Sequence, residues 1–406
     1  MRILVASASY PTPAHPKFLG GAETFSVQLC EELAARGNTV CVVRSGPTSQ
    51  PWEEEEVNGV RVVTFRTRNL YSPWQNRSDN AYVRAAWHAI EDRAFSLPGF
   101  SALLRELSPD IMHSNSLYGL TTSVWSEAKA AGIPIVHTLH DYSLTCARST
   151  RFKNGRRCTS SCFDCSCLTV GRRRATRLVD ALVSVSDRTL AIHKECGLFD
   201  DGVATEIIRN PPPLVTGQPP LAGEGEKPIT FGFIGRPSVE KGIFDLALAF
   251  AKGPKKRARL LIAGKMDAEM QARLVEISAG CPVEFLGFTT PKSFFANIDV
   301  MVIPSIWEDP CPMVIGESLA YGRPVLGAKR GGIPELMADE AFGWLYEPDT
   351  EELGRLLSWI AENKSAVVQK SRDLLSRRVQ RSFADLVTDY LRVYTKTIAA
   401  RSQRVS

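Results

Sequence analysis

The chain has 406 residues, of which 44% are hydrophobic and 23% charged, the balance of a soluble globular protein long enough for two domains. Its net charge of +5, from 49 basic and 44 acidic residues, is too small to indicate a nucleic-acid partner by itself. No apolar run approaches the roughly 20 residues that a membrane-spanning helix needs.

The first predicted element is the strand RILVASA, in an apolar stretch that Pro11 interrupts. No signal-peptide cleavage region follows it, so we expect a cytoplasmic protein. The amphipathic run AETFSVQLCEELAARG comes next and predicts a helix with Phe25, Leu29 and Leu33 on its buried face. Gly37 lies just past the end of this helix, where a C-cap glycine is expected.

Strand-like and helix-like segments alternate through the rest of the chain. Each strand-like run is short, rich in β-branched residues, and leads into a polar loop and a helix, which predicts parallel sheets covered on both faces. The predicted strands are TVCVVRS, VRVVTF, DIMHSNS, IPIVHTLHD and ALVSVSD in the first half, and ITFGFIG, ARLLIAG, VEFLGF, DVMVIPS, PVLGA and GWLYEP in the second.

Residues 211–228 separate the two halves, and six of these 18 residues are proline, which is typical of a linker. We therefore predict two doubly wound, Rossmann-like α/β domains, 1–212 and 228–380, joined by the linker 213–228 and followed by an amphipathic helix, 381–406. Ligands of such sheets bind beyond the carboxyl ends of the strands, so we expect the site in a cleft between the domains.

Two motifs follow strands of the first domain. Gly20 and Gly21 join the first strand to its helix, where backbone amides can hold an anion, although close helix packing would also favour glycine there. His140 of HTLHDY follows a later strand. It either faces a ligand or caps the strand, with Asp141 capping a helix after it.

A cysteine-rich insert, 146–177, follows this histidine and holds five cysteines within 22 residues. In a cytosolic chain such crowding indicates a metal sooner than disulfides. The spacing of Cys158, Cys162 and Cys165 approximates that of a structural zinc site, and Cys146 is a candidate for the fourth ligand, with Cys167 then spare. The alternative is a cluster of free or oxidisable thiols.

The same insert carries nine basic residues between Arg148 and Arg177 against one acid, Asp164. Three interpretations are open. The insert is a solvated loop, or it contacts anionic lipid head groups and places the protein at the inner face of the cytoplasmic membrane, or it is a nucleic-acid module. Neither an aromatic platform nor a recognition helix accompanies the arginines, so we expect no nucleic-acid partner.

The second domain has two basic residues and two glycines in loops that follow strands. Arg236 and Lys241 of GRPSVEKG are suited to bind a diphosphate, or are plain surface charges. Gly331 and Gly332 of GGIPEL form a tight loop where backbone can approach a ligand.

The turn in IPSIWEDPCPMVIGESLAYG places Glu308 and Asp309 ahead of Glu317, at the start of a helix. Carboxylates suit the vicinal hydroxyls of a sugar, and helix N-terminal amides suit phosphate, so together they indicate a sugar nucleotide. These acids could also be solvated turn residues, with Glu317 complementing the helix dipole. A glycoside hydrolase would use Asp309 and Glu317 as acid and base but would leave the cations without a role.

The chain resembles glycosyltransferase family 4, retaining enzymes of the GT-B fold, over nearly its whole length. The segments that carry this resemblance are LGGAETFSVQLCEELAARG, HTLHDY, IGRPSVEKGIFDL, IPSIWEDPCPMVIGESLAYGRPV and GGIPEL. The resemblance implies transfer of a sugar from a UDP- or GDP-sugar to a glycan or lipid-linked acceptor, in polysaccharide or glycolipid synthesis. It also implies an acceptor-side first domain, a donor-binding second domain, and a last helix that crosses back to the first. An epimerase-like enzyme or a catalytically silent sugar-nucleotide-binding protein of the same fold is the alternative.

The resemblance also implies residue roles. The family's acid–x7–Glu motif falls on Asp309 and Glu317, with aspartate in place of the usual glutamate, and leaves open whether Asp309 or its neighbour Glu308 holds the donor sugar. The expected catalytic residues are Arg236, Lys241, Asp309, Glu317 and His140. The expected substrate-binding residues are Gly20, Gly21, Glu308, Pro312, Met313, Gly331 and Gly332.

The expected mechanism follows from the same family. Transfer proceeds on one face of the sugar, and the leaving phosphate helps to deprotonate the acceptor. No Asp-x-Asp motif of metal-dependent transferases stands at a strand end, so we expect catalysis without a cofactor or a divalent ion.

Overall fold

The computed structural model describes residues 1–8, 10–13, 20–66, 69–71, 80–93, 95–215, 220–254, 257–377 and 381–405. Residues 17–19 before the glycine pair and 216–219 of the predicted linker lie outside this range. The chain forms two compact units. Unit 1 comprises Met1–Arg151, Cys158–Arg209 and Ala384–Ser406, and unit 2 comprises Phe152–Arg157 and Asn210–Phe383.

Sixteen strands are present in the described part of the chain. In chain order they are β1 (Arg2–Ala6), β2 (Thr39–Gly46), β3 (Trp52–Val57), β4 (Val60–Arg66), β5 (Ile111–Ser114), β6 (Ile135–Leu139), β7 (Phe152–Lys153), β8 (Arg156–Arg157), β9 (Ala181–Ser184), β10 (Ala204–Ile207), β11 (Ile229–Ile234), β12 (Ala258–Ala263), β13 (Val283–Gly287), β14 (Val300–Ile303), β15 (Val325–Ala328) and β16 (Gly343–Tyr346).

The α-helices of the described residues alternate with these strands. They are α1 (Gly21–Ala35), α2 (Ala81–Glu91), α3 (Phe100–Leu107), α4 (Ser123–Ala130), α5 (Phe163–Leu168), α6 (Val170–Ala175), α7 (Asp187–Glu195), α8 (Ile243–Lys252), α9 (Ala268–Ile277), α10 (Pro291–Ala296), α11 (Met313–Ala320), α12 (Ile333–Leu336), α13 (Thr350–Glu362), α14 (Lys364–Ser376) and α15 (Phe383–Val405).

Unit 1 is built on an eight-stranded sheet in the order β10-β9-β6-β5-β1-β2-β4-β3. Every neighbouring pair is parallel except β3 and β4, which are antiparallel. The order grows outward in both directions from the pair β1 and β5, which is the topology of a doubly wound fold.

Unit 2 contains a six-stranded, wholly parallel sheet in the order β13-β12-β11-β14-β15-β16. It is also doubly wound, and its strand order reverses between β11 and β14. The short antiparallel hairpin β7–β8 belongs to this unit as well, although it comes from the cysteine-rich insert. The predicted fold class is therefore confirmed.

The helix α1 illustrates how the sequence pattern specifies local structure. Phe25, Leu29 and Leu33 are buried, as their spacing predicts. Gly37 follows the helix with φ of +79°, a left-handed conformation that glycine adopts without the Cβ penalty of other residues. The helix thus ends where the sequence places its C-cap.

The sequence prediction missed the two edge strands of unit 1 and the hairpin β7–β8. The strand β3, WEEEEV, has four successive glutamates and is largely exposed. Charged residues are common on edge strands, where they discourage pairing with another chain, and they remove the apolar alternation that identifies a strand.

The final helix, α15, lies almost wholly in unit 1. Leu386, Tyr390 and Val393 of its predicted apolar stripe are buried. None of the helices in the described ranges is long and apolar enough to cross a membrane.

Candidate functional site

The strand-order reversal of unit 2 brings two loops together. Strands β11 and β14 are neighbours, with Phe231 opposite Val300, so the loops at their carboxyl ends leave from the same edge of the sheet. The backbone N–H of Ile306 in the second loop donates to the carbonyl of Glu240 in the first, at 3.0 Å. Ligands of doubly wound sheets bind at such a reversal.

Lys241 and Asp309 form an ion pair across these loops. The Lys241 Nζ lies 2.7 Å from the Asp309 Oδ2, which also accepts a hydrogen bond from the Ser305 hydroxyl at 3.0 Å. The aspartate side chain is 5% exposed and the lysine 29%. The second carboxylate oxygen, Oδ1, has no partner among the residues that the structure describes, so it is open to a ligand.

The Glu308 carboxylate accepts from different partners than the Asp309 carboxylate does. Its Oε1 accepts from the Arg157 guanidinium at 2.6 Å, and its Oε2 accepts from the Gly331 backbone N–H at 3.1 Å. The glutamate side chain is 6% exposed. Two adjacent acids are therefore both buried, one held by the lysine and the other by the hairpin β7–β8 and the glycine loop.

The glycine loop fits tightly against the acidic turn. Gly331 has φ of +56°, and a Cβ at this position would lie 2.0 Å from the Asp309 carbonyl oxygen. That oxygen also accepts from the Gly332 N–H at 2.8 Å. Gly332 itself has φ of −80°, which any residue can adopt, so only the first glycine of the pair is required by geometry.

Glu317 lies in the second turn of α11 and not in the first, so it is poorly placed to complement the helix dipole. Burial raises the pKa of its carboxyl group. Its carboxylate has no hydrogen bond or ion pair within the described ranges of the chain. A partly buried acid without a protein partner is a candidate ligand-binding group.

Arg236 is exposed, with 72% of its side chain accessible, and it pairs with Glu240 at 2.8 Å. The Ser238 hydroxyl in the same loop is buried, with no hydrogen-bond partner in the described structure. Pro312 is the N-cap residue of α11 and Met313 is its first residue. They lie at the N-terminus of α11, beside the acidic turn in sequence.

The predicted residues of unit 1 form a separate group around α1. Gly20 is the N-cap of this helix and Gly21 is its exposed first residue. The φ of Gly20 is 166°, an extended conformation that does not require glycine. The His140 ring packs on Phe25, one helical turn from Gly21, with centroids 4.7 Å apart.

His140 is held in its neutral form by its surroundings. Burial lowers its pKa to about 4, so it is uncharged at neutral pH. Its Nε2 atom is buried and has no hydrogen-bond partner in the described part of the protein. The next residue, Asp141, caps a turn and not a helix, because its Oδ1 accepts from the Ser143 N–H at 2.7 Å.

Three of the insert's five cysteines lie close together in unit 1. The Sγ atoms of Cys146 and Cys165 are 3.7 Å apart, and Cys162 lies within 4.8 Å of Cys165. The ligand atoms of Cys162, Asp164 and Cys165 all lie within 4.8 Å of one another, and Cys158 is not part of this group. Cys167 is exposed.

Most of the insert's guanidinium groups contact the protein itself. Arg148 contacts Asp164, Arg151 contacts the Cys196 thiol, and Arg157 contacts Glu308. Arg172 contacts Asp92, and Arg173 contacts the Cys196 carbonyl. Arg156, Arg174 and Arg177 are exposed and have no partner in the described structure. The basic surface is therefore smaller than the sequence count suggests.

Sequence reasoning missed three residues of the unit 2 site. Arg157 is counted among the basic residues of the insert, but nothing in its local pattern connects it with Glu308. Ser305 and Ser238 lie in the loops after β14 and β11, and only their position at strand ends could have identified them.

Comparison with known proteins covers both units. Residues 20–203 match the family model "Glycosyl transferase 4-like domain", and residues 228–363 match "Glycosyl transferases group 1". A similar sequence is an uncharacterized 42.6 kDa protein in the cps region of Klebsiella pneumoniae. It is 28% identical over 337 residues, which are 83% of this chain and 87% of the relative.

Solved structures show the same fold at low sequence identity. Sucrose-phosphate synthase from Thermosynechococcus elongatus aligns over 98% of this chain and 99% of its own, with a TM-score of 0.72 and 18% identity. Anabaena HepE in complex with UDP aligns over 98% of this chain and 100% of its own, with a TM-score of 0.67 and 17% identity. Another structure of HepE contains UDP-glucose, at 17% identity and a TM-score of 0.64 over 98% of this chain and 99% of HepE.

Proposed function

Because the chain belongs to the glycosyltransferases of the GT-B fold, we propose that unit 2 binds a nucleoside-diphosphate sugar and that the sugar is transferred with retention of configuration. The observation that carries this proposal is the Lys241–Asp309 pair at the strand-order reversal of unit 2. The acceptor is a glycan or lipid-linked sugar, in polysaccharide or glycolipid synthesis. The relative from a cps region is consistent with that acceptor.

The donor's diphosphate is assigned to Lys241, Arg236 and the amides at the start of α11. The Lys241 ammonium is fixed by Asp309, so its position is set before the substrate binds. Arg236 is exposed and can turn toward the phosphates. The buried Ser238 hydroxyl supplies a further donor in the same loop.

The donor's hydroxyl groups are assigned to the acids. Asp309 keeps Oδ1 open beside its lysine, which favours it as the ligand of the transferred sugar. Glu308 is engaged by Arg157 and the glycine loop, which suits it to shaping the pocket wall. Glu317 is assigned to the ribose. UDP is the first nucleotide to test, because HepE binds it; GDP is the alternative.

The proposed reaction proceeds on one face of the sugar. The bond between the anomeric carbon and the diphosphate oxygen breaks, and a new bond forms between that carbon and the acceptor oxygen. The acceptor's proton passes to an oxygen of the leaving phosphate. Lys241 and Arg236 stabilise the charge of the departing diphosphate, and the chain has no Asp-x-Asp motif to bind a divalent ion, so we propose metal-independent catalysis.

His140, Gly20 and Gly21 remain proposals for the acceptor-side unit. The buried, unpartnered Nε2 of His140 supports a role in hydrogen bonding to substrate. We also propose a peripheral contact between the exposed Arg174 and Arg177 of unit 1 and an anionic membrane surface. Co-sedimentation with anionic but not neutral vesicles would support that contact, and equal recovery with both would contradict it.

The Lys241→Ala variant tests the donor site. We expect UDP and UDP-sugars to raise the melting temperature of the wild type, and the variant to transfer sugar about 10²-fold more slowly, because one charge-stabilising donor is lost. Lys252→Ala, at an exposed position in the last turn of α8, is the matched control and should behave as the wild type. An unaltered turnover number in Lys241→Ala would refute the assignment, and loss of transfer in the presence of EDTA would refute metal independence.

A further inference from the structure

Two buried thiols of the insert lie at the separation that a shared metal ion requires. The Sγ atoms of Cys146 and Cys165 are 3.7 Å apart. Thiolates bound tetrahedrally to zinc at about 2.3 Å are about 3.8 Å from each other. A disulfide would bring the two sulfur atoms to about 2.05 Å, so this pair is not bonded.

A third thiol, that of Cys162, lies beside this pair, and the sequence spacing makes Cys158 the candidate for the fourth ligand. Cys162 and Cys165 have the C-x2-C spacing of zinc sites and lie at the start of α5, within 4.8 Å of each other. Cys158 lies outside this group of ligand atoms, and it directly follows the hairpin β7–β8 in the sequence. Asp164 also lies within 4.8 Å of Cys162 and Cys165, but its Oδ2 accepts from the Arg148 guanidinium at 2.8 Å, so this carboxylate is already engaged.

The surrounding charges favour a thiolate-bound metal. Zinc with four thiolates carries a net charge of −2, which is costly to bury unless cations are near. The Arg148 guanidinium lies 3.6 Å from the Cys165 Sγ, and the buried Arg151 donates to the Cys158 carbonyl at 3.3 Å. Arg148 and Arg151 place two positive charges beside the thiols and Asp164 places one negative charge there, so the neighbouring side chains offset part of the charge that the metal site would bring.

We infer that Cys146, Cys158, Cys162 and Cys165 form a structural zinc site in the insert. The four ligands bracket the hairpin β7–β8 in the sequence, and Cys158 directly follows Arg157. The Cys158 N–H also donates to the Arg151 carbonyl at 2.7 Å, which closes the two ends of the hairpin. A metal on Cys146 and Cys158 holds both ends and so restrains Arg157, which donates to Glu308.

This link to Glu308 rests on the proposed function, because Glu308 lies in the proposed donor site. The metal site itself does not rest on it. Zinc occupancy and donor affinity are therefore measured separately, so that failure of one leaves the other interpretable.

The first experiment measures metal in the full-length wild-type chain, reconstituted with zinc under reducing conditions and freed of excess metal. We expect one zinc ion per chain, released stoichiometrically to a chromophoric chelator when a thiol-blocking reagent is added. Cobalt substitution should give the intense visible absorption of tetrahedral thiolate coordination. Zinc below about 0.2 per chain would overturn the site.

Matched variants define the ligand set. The zinc content per chain of Cys165→Ser and of Cys158→Ser should each be about fivefold or more below that of the wild type. Cys167→Ser, at the exposed fifth cysteine of the insert, should retain the wild-type zinc content. Asp164→Asn should also retain zinc. Loss in Asp164→Asn with retention in Cys158→Ser would overturn the assignment of the fourth ligand, and the wild-type release assay decides the matter if a variant does not fold.

The second experiment compares UDP binding by zinc-loaded protein, zinc-free protein and Arg157→Ala. We expect both altered forms to bind UDP several-fold more weakly than the zinc-loaded wild type. Equal affinity in zinc-loaded and zinc-free protein would overturn the link to Glu308 and leave the metal site intact. If no form binds any nucleotide while zinc is present at one per chain, the proposed function fails and the metal site stands.

Discussion

At the scale of single residues, burial determines how the two neighbouring acids of unit 2 behave. An ionised carboxylate with 5% or 6% exposure is costly unless charges or hydrogen bonds compensate it. Asp309 is compensated by Lys241 and Ser305, and Glu308 by Arg157 and the Gly331 amide. Removing a partner therefore affects both stability and the position of the acid.

The conformation of Gly331 leads to a residue-scale prediction. Gly331→Ala should destabilise unit 2 by about 1–3 kcal/mol or more, because a left-handed residue gains a Cβ that collides with the Asp309 carbonyl. Relief of this collision should also move the backbone N–H of residue 331, which donates to Glu308, and so weaken UDP binding. Urea unfolding and UDP titration measure the two effects.

Gly332→Ala is the control for this prediction, since its φ of −80° suits alanine. It should unfold at nearly the wild-type urea concentration. If the two variants were equally stable, the geometric argument for the first glycine would be wrong.

At the scale of elements, the helix α15 is bound to the sheet of unit 1 by polar contacts as well as apolar ones. The Tyr394 hydroxyl lies 2.7 Å from the His113 Nδ1, and the Tyr390 hydroxyl lies 3.2 Å from the Thr138 Oγ1. Arg36 donates to the Ala384 carbonyl at 2.7 Å at the start of the helix. The two buried tyrosine contacts fix α15 against β5 and β6.

Tyr394→Phe should therefore lower the free energy of unfolding more than Tyr390→Phe does. Removing the Tyr394 hydroxyl leaves the buried His113 Nδ1 without its partner, which costs about 1–3 kcal/mol of unfolding free energy. Thr138 keeps its 2.8 Å hydrogen bond with the His113 Nε2 when Tyr390 is changed, so that variant should lose less. Equal losses in chemical denaturation would contradict the ranking.

At the scale of the whole molecule, unit 1 contains a set of buried neutral histidines. Burial lowers the pKa of His113 to about 3 and those of His140 and His193 to about 4, and lowers that of His137 as well. The unfolded chain takes up protons below about pH 6.5 while the folded unit does not, so stability falls as pH drops from that value toward the folded pKa values. Burial raises the pKa of Glu91 and Asp141, which opposes this loss at the lower end of the range.

His193→Asn isolates one of these histidines. It keeps a donor for the Thr189 carbonyl, which the His193 Nδ1 contacts at 2.8 Å, but it removes the titrating ring. Between pH 7.5 and pH 5 the wild type should lose about 2 kcal/mol more unfolding free energy than the variant does, from a pKa of about 4 folded and about 6.5 unfolded. Identical pH dependence in urea unfolding would show that this histidine is protonated in the folded state.

The fold class, and the position of the loops that we propose bind the donor, follow from the sequence alone. Apolar runs such as ITFGFIG and DVMVIPS identify strands locally, and the carboxyl ends of parallel strands meet at one edge, so Lys241 and Asp309 could be expected together. The glycine at the end of α1 is similarly local, because its conformation depends on its own backbone. By contrast, the charged edge strand β3 lacks the apolar pattern on which such inference depends.

The contacts that the buried side chains make with residues distant in the sequence are known from the tertiary structure alone. Arg157 meets Glu308 from 151 positions away, and Cys146 meets Cys165 across a hairpin that the sequence does not reveal. Periodicity and spacing report the local conformation of a segment, whereas a contact between distant side chains depends on how whole elements pack. For that reason the sequence supplied both acids and all four cysteines, but not which arginine holds Glu308 or which thiols lie close together.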